Sequence, residues 1–222
     1  IPITLKEKKP LPIDKNTVLY YKKHGATMKK HEKEVIIIAG ANGSGKTTFA
    51  KSYSKKYPFE FVNADEIAKD IDPDNIQKVR VQAGKRFFEK IDALLNDNKN
   101  FLIESTLSGK YLMRIIKKLK DHGYYVKILY IFLETPEVCI ERIQERVSKG
   151  GHFVPDQDVI RRFKRSKDNF WNQYKNIVDK WFILFNSTDK YIELAVGSKN
   201  DYIVKSETLF ETFFADMEGG SE

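Results

Sequence analysis

Cysteine is almost absent: Cys139 stands alone among 222 residues, inside an apolar helical pattern, so no disulfide framework can form within the chain. A lone thiol suits a reducing compartment, and a cytoplasmic location is expected. Long apolar runs are missing as well. No stretch approaches the length that spans a bilayer, and the first residues lack the apolar core of a signal peptide, so no membrane partner is expected. Neither an internal repeat nor a low-complexity linker interrupts the sequence. Hydrophobic residues make up 41% and aromatics 13%, which excludes a disordered or collagenous chain. The length suits one domain with a substantial core.

Charge is plentiful but unevenly placed. The net charge is +8, and residues 1–33 carry nine lysines against Glu7, Asp14 and Glu32, a surplus of six that leaves only two for residues 34–222. The basic character therefore belongs to an N-terminal extension over 1–33, read as a solvated arm, followed by a single domain over 34–222. A nucleic-acid partner is not expected from a surplus confined in this way.

The run Val35-Ile36-Ile37-Ile38-Ala39 is continuously apolar and β-branched, the pattern of a strand buried on both faces. Further strands are expected at Phe59–Val62, Phe101–Ile103, Val126–Leu133 and Trp181–Phe185, with a hairpin at Tyr191–Val196 and Tyr202–Val204. Between them lie helical patterns at Thr47–Tyr57, 76–97, Tyr111–Lys120, the segment opened by Thr135-Pro136, about Pro155–Asp179, and a terminal helix capped by Ser206. Strands alternating with helices give an α/β fold, a mostly parallel sheet of five to six strands with helices on both faces. Ligands of such sheets bind beyond the carboxyl ends of the strands, and the polar motifs fall at those ends.

The first of them is Gly40-Ala41-Asn42-Gly43-Ser44-Gly45-Lys46-Thr47, which matches G-x-x-x-x-G-K-[ST] and is followed by Thr48. Its glycines let successive N–H groups point at phosphates, and the helix that follows adds its positive end. Lys46 is placed to reach the β- and γ-phosphates, and the Thr47 hydroxyl to ligate Mg²⁺. A chance match in a chain of this length has odds on the order of one per cent at average residue usage. The motif makes the fold a P-loop NTPase three-layer sandwich binding ATP and Mg²⁺. No N-K-x-D guanine motif and no ABC-type signature accompanies it.

Two acidic segments follow. Asn63-Ala64-Asp65-Glu66 comes after the second strand. Asp65 there either takes the proton of an acceptor hydroxyl or caps a short helix. Glu104-Ser105-Thr106 ends the third strand, where Glu104 either holds Mg²⁺ through water, as in a Walker B segment, or joins Thr106 in binding substrate hydroxyls. A helical lid is expected over about 140–170. Arg142 and Arg146 lie one turn apart before Gly150-Gly151-His152, and Arg161, Arg162, Lys164, Arg165 and Lys167 follow, so two basic helices flank a diglycine hinge. His152 has no carboxylate or cysteine at metal spacing, and Phe163, Phe170, Trp171 and Tyr174 read as core.

G-A-N-G-S-G-K-T-T, N-A-D-E, E-S-T-L-S-G, G-G-H-F-V-P and R-R-F-x-R-S, running in this order from about Val35 to Ser187, resemble the zeta-toxin-like P-loop kinases. Zeta toxins phosphorylate the amino-sugar 3′-hydroxyl of UDP-N-acetylglucosamine and are paired with an antitoxin that blocks the nucleotide site. The resemblance implies an ATP- and Mg²⁺-dependent kinase with a sugar-nucleotide substrate and an antitoxin partner. It implies that Asp65 is the catalytic aspartate and that Glu104 and Thr106 bind the amino-sugar nucleotide. Arg146 matches the first arginine on the γ-phosphate, and Arg162 or Arg165 the second. Ser108 stands where these toxins carry an arginine after E-x-T-L, which leaves the acceptor open.

Overall fold

The computed structural model describes residues 32–151, 153–186 and 190–217. The basic extension assigned to 1–33 lies almost wholly outside the described residues, and so does His152. Strand β1 (Glu34–Ala39) forms where the β-branched run demands it, and its residues from Val35 to Ala39 are buried. It stands between β3 (Phe101–Ser105) and β4 (Tyr125–Phe132), parallel to both. Strand β2 (Glu60–Val62) adds to β3, and β5 (Lys180–Asn186) adds to β4, again parallel.

Among the described residues the sheet has seven strands in the order β2-β3-β1-β4-β5-β6-β7, not five to six. The hairpin is the difference: β6 (Tyr191–Ser198) pairs antiparallel with β5, and β7 (Asp201–Val204) with β6, so both strands extend the same sheet. Lys199 takes φ +53 in the turn between them.

Helices cover both faces. Val35, Ile37 and Ala39 point into a core shared with α3 (Arg80–Asn96) and α4 (Tyr111–Asp121), through Phe87, Ile91, Leu112 and Ile116. Ile36 and Ile38 point the other way, to Phe49 and Ala50 of α1 (Lys46–Lys56). Each such isoleucine contributes on the order of 1.5–3 kcal/mol by leaving water. A third cluster joins Ala41 of the phosphate loop to Cys139 and Ile143 of α5 (Pro136–Ser148) and to Val159 and Phe163 of α6 (Asp156–Asn169). Helices α5 and α6 are therefore packed on the phosphate loop. Thr135 caps α5 through Val138 N–H, with Pro136 in its first turn.

Two helices are shorter than their apolar spacing suggests. The pattern from 76 starts as helix only at Arg80: Asp72 Oδ1 accepts Asp74 N–H and Asn75 N–H, and Lys78 N–H then turns back to Asn75 O. The long helix expected to Asp179 leaves α geometry for a π turn at Phe170–Tyr174 and stops after Lys175–Ile177. Phe163, Phe170 and Tyr174 are buried, as expected of core.

Candidate active site

The loop between β1 and α1 winds tightly, with positive φ at Gly40, Gly43 and Gly45. At Gly43 (φ +81) a Cβ would stand 2.5 Å from the Cys139 carbonyl oxygen, so glycine is needed for conformation and for space. Cys139 itself is buried, and burial pushes its thiol up to about 12. Beyond the loop, Asn186 Nδ2 donates to Ser44 O at 2.7 Å and the Tyr191 hydroxyl to Gly45 O at 3.2 Å. Arg142 Nη2 in turn donates to Asn186 O at 3.3 Å. These supports come from the far end of the chain, and only the polar end of an apolar strand hints at Asn186.

Lys46 lies back over the loop, where its Nζ donates to Ala41 O at 2.7 Å and stands 4.0 Å from Glu104 Oε1. Burial lowers its pKa, and the charges of Glu104 and Asp65 oppose that shift. Thr47 Oγ1 donates to Glu104 Oε2 at 2.9 Å, while Thr48 is exposed on α1. Ser44 Oγ is buried without a hydrogen-bond partner among the described residues, an orphan that an anionic oxygen would satisfy. The Thr47 hydroxyl beside the Glu104 carboxylate is a hard-oxygen pair of the kind Mg²⁺ prefers, so these residues fit that ion. Among the described residues no group of three or more His, Cys, Asp or Glu forms a metal cluster.

Helix α2 (Ala64–Ile71) begins at Asn63, which is the cap; Asp65 is not. Asn63 Oδ1 accepts Asp65 N–H at 2.7 Å and Glu66 N–H at 3.2 Å, and its Nδ2 donates to Glu104 Oε2 at 2.7 Å. The Asp65 side chain is left exposed in the first turn. Glu104 is pushed above its usual range by burial, against the pull of Lys46 and the hydrogen bonds from Thr47 and Asn63.

Glu104 and Thr106 make separate contacts. Glu104 faces the phosphate loop, whereas the Thr106 hydroxyl pairs with Ser108 Oγ at 2.8 Å. Between them Leu107 is buried at φ +54, a costly conformation for a branched residue. It is held by Asn169 Nδ2 on its carbonyl at 2.7 Å, and Tyr174 holds Gly109 O at 2.6 Å. The Tyr111 hydroxyl lies 3.5 Å from Ser105 Oγ, and burial followed by the Asp65 charge raises its pKa.

On the lid side, Gly150 takes φ +80 and donates to Val147 O at 2.9 Å, while Gly151 N–H reaches Arg146 O at 2.9 Å. These two bonds make a Schellman stop, so the diglycine also ends α5. Arg146 lies near enough for its charge to lower the Lys46 pKa. Of the two candidates on α6, Arg162 reaches the loop, donating from Nη1 to Asn42 Oδ1 at 3.3 Å and from Nη2 to Asp158 Oδ2 at 3.1 Å. Arg165 is exposed. Lys167 is no lid charge: it is buried among Phe132, Phe163 and Phe213, with Asp216 Oδ2 at 3.1 Å.

The AAA domain family profile matches residues 35–169, more than half of the chain. The chain belongs to this family. A Haemophilus influenzae protein of uncharacterized function is 32% identical over 132 residues, covering 60% of this chain and 94% of its own length. An Arabidopsis thaliana gluconokinase is 30% identical over 55% of this chain and 71% of its own. A cytidylate kinase of Archaeoglobus fulgidus is 26% identical over 67% and 81%. Among solved structures, a chain from the PezAT chromosomal toxin–antitoxin system of Streptococcus pneumoniae superposes with TM-score 0.62 at 20% identity, covering 90% of this chain and 87% of that one. AvrRxo1-ORF1:AvrRxo1-ORF2 with ATP gives 0.66 at 13% identity, covering 93% and 73%. These two structures share the fold with this chain, and the family match together with the kinase relatives supports a P-loop phosphotransferase. Among the described residues no helix is long and apolar enough to cross a membrane.

Proposed function

We propose that this P-loop kinase transfers the γ-phosphoryl group of ATP to a hydroxyl of a nucleotide-linked amino sugar, with UDP-N-acetylglucosamine as the first acceptor to test. The observation that carries the transfer is the buried Lys46 beside Glu104, a carboxylate that also takes the Thr47 hydroxyl of the phosphate loop and the amide of Asn63, whose oxygen holds the Asp65 N–H. The acceptor class is supported by the order of the motifs and by the fold shared with the toxin–antitoxin chain.

In this reading residues 34–222 act as one kinase domain with a lid at about 140–170, and 1–33 precede it as a basic arm. Asp65 takes the acceptor proton, and its exposure leaves it open to an incoming hydroxyl. Phosphoryl transfer through a loose transition state asks mostly for positioning, so a well-placed aspartate suffices as base. Lys46 steadies the β- and γ-phosphates. Thr47 would hold Mg²⁺ directly and Glu104 through a water, and the bound ion would supply charge neutralisation at the phosphates. Arg146 and Arg162 offset charge on the transferred group. Glu104 serves the phosphate side in this scheme, and Thr106, with Ser108, is left to the acceptor. The PezAT likeness also motivates an antitoxin partner that covers the nucleotide site, and the lone cysteine suits a cytoplasmic setting.

The cytidylate kinase and gluconokinase relatives favour a second reading, in which the acceptor is a nucleotide or a sugar acid. The pure protein incubated with ATP, Mg²⁺ and each acceptor class, followed by mass spectrometry, separates the two. A product heavier by one phosphoryl group from UDP-N-acetylglucosamine alone supports the first. Phosphorylation of CMP or gluconate alone refutes it and leaves the kinase intact.

A further inference from the structure

Asn63 lies between the two carboxylates of the site and touches the machinery of both. Its carbonyl oxygen accepts the backbone N–H of Asp65 at 2.7 Å, and its amide nitrogen donates to Glu104 Oε2 at 2.7 Å. The same Glu104 oxygen accepts the Thr47 hydroxyl at 2.9 Å. One buried amide thus spans from the first turn of α2 to the phosphate loop, with both its ends occupied. A helix cap needs only an oxygen, and serine or aspartate supplies one as well. An aspartate here would set a second negative charge against Glu104, and a serine would fall short of it. Only the amide both caps the helix and holds the carboxylate.

We infer that Asn63 is a positioning residue: it fixes Glu104 against Thr47, and by the same bonds fixes the acceptor-side helix relative to the phosphate side. Without the amide, Glu104 keeps its Thr47 bond but loses the partner that sets its orientation. Partners of this kind commonly cost about 10- to 100-fold in metal affinity or activity when removed. The inference rests on the reading of Thr47 and Glu104 as the residues that serve Mg²⁺.

The test uses Asn63→Ser, which retains a cap oxygen but does not reach Glu104, and Asn63→Ala, which loses both. Binding of a fluorescent ATP analogue is titrated with and without Mg²⁺, and melting temperature and transfer rate are measured beside it. The expected result is a melting temperature for Asn63→Ser close to that of the native protein and metal-free nucleotide affinity unchanged. The Mg²⁺-dependent gain in affinity should then fall about 10- to 100-fold. A native gain in Asn63→Ser, with loss only in Asn63→Ala, would reduce Asn63 to a helix cap and overturn the inference. Should Asn63→Ser fold poorly, Asn63→Asp, which keeps a cap oxygen and loses the amide donor, takes its place and is combined with Glu104→Gln: a double variant no worse than Glu104→Gln alone supports action through Glu104, and losses that multiply refute it. If the native protein transfers phosphate to no acceptor, the proposed function fails while the binding measurements still decide the role of Asn63.

Discussion

Arg162 and Arg165 sit three residues apart on α6, yet only Arg162 has its guanidinium on the phosphate loop, at Asn42. Their difference is testable. Arg162→Ala should lower the transfer rate about 10²–10³-fold, the usual cost of losing one donor aimed at developing charge. Arg165→Ala should change it little, and equal losses in the two would remove the distinction. Steady-state rates at saturating ATP give the answer. The charges themselves were legible in the sequence, but their orientations were not, since both arginines belong to one basic run. Lys167 is the instructive exception. It falls at helical spacing from Val159 and Phe163, on the buried face, and periodicity weighed above charge type would have found it.

Helix ends carry much of the site's precision. The Schellman stop ends α5 at Ser148, just past Arg146, and a Cβ on Gly151 would meet Arg146 at both its side chain and its carbonyl. Gly151→Ala should therefore displace Arg146 and lower the transfer rate about 100-fold, as a misplacement of about 1 Å can. Gly150→Asn, which tolerates the left-handed turn, should keep the native rate. If Gly151→Ala keeps it too, Arg146 is not set by this contact. The dipeptide was visible as punctuation in the sequence. That it also stops a helix depended on φ at Gly150, which composition does not carry. Strands and helices around the site were legible wherever apolar spacing was strong. Boundaries shifted where side chains competed for the backbone, as Asp72 does before α3.

Across the whole molecule the parallel order of β2, β3, β1, β4 and β5 brings motifs from four loops to one edge, and that much followed from alternating strands and helices. The phosphate cradle was fully legible, because its spacing is its function. The brackets behind it were not: Asn186 lies 142 residues from Ser44, and Tyr191 lies 146 residues from Gly45. Long-range pairing of that kind leaves no local pattern. The proposed activity depends on this convergence, with Asp65 as the group that receives the acceptor proton. The most direct measurement is the initial rate of phosphoryl transfer from ATP to the accepted sugar nucleotide, native protein against Asp65→Asn, with ATP affinity determined on the same samples. Asp65→Asn should lose about 10²–10⁴-fold in rate, the usual share of a general base, while binding ATP as the native protein does. Full transfer by Asp65→Asn would contradict the account.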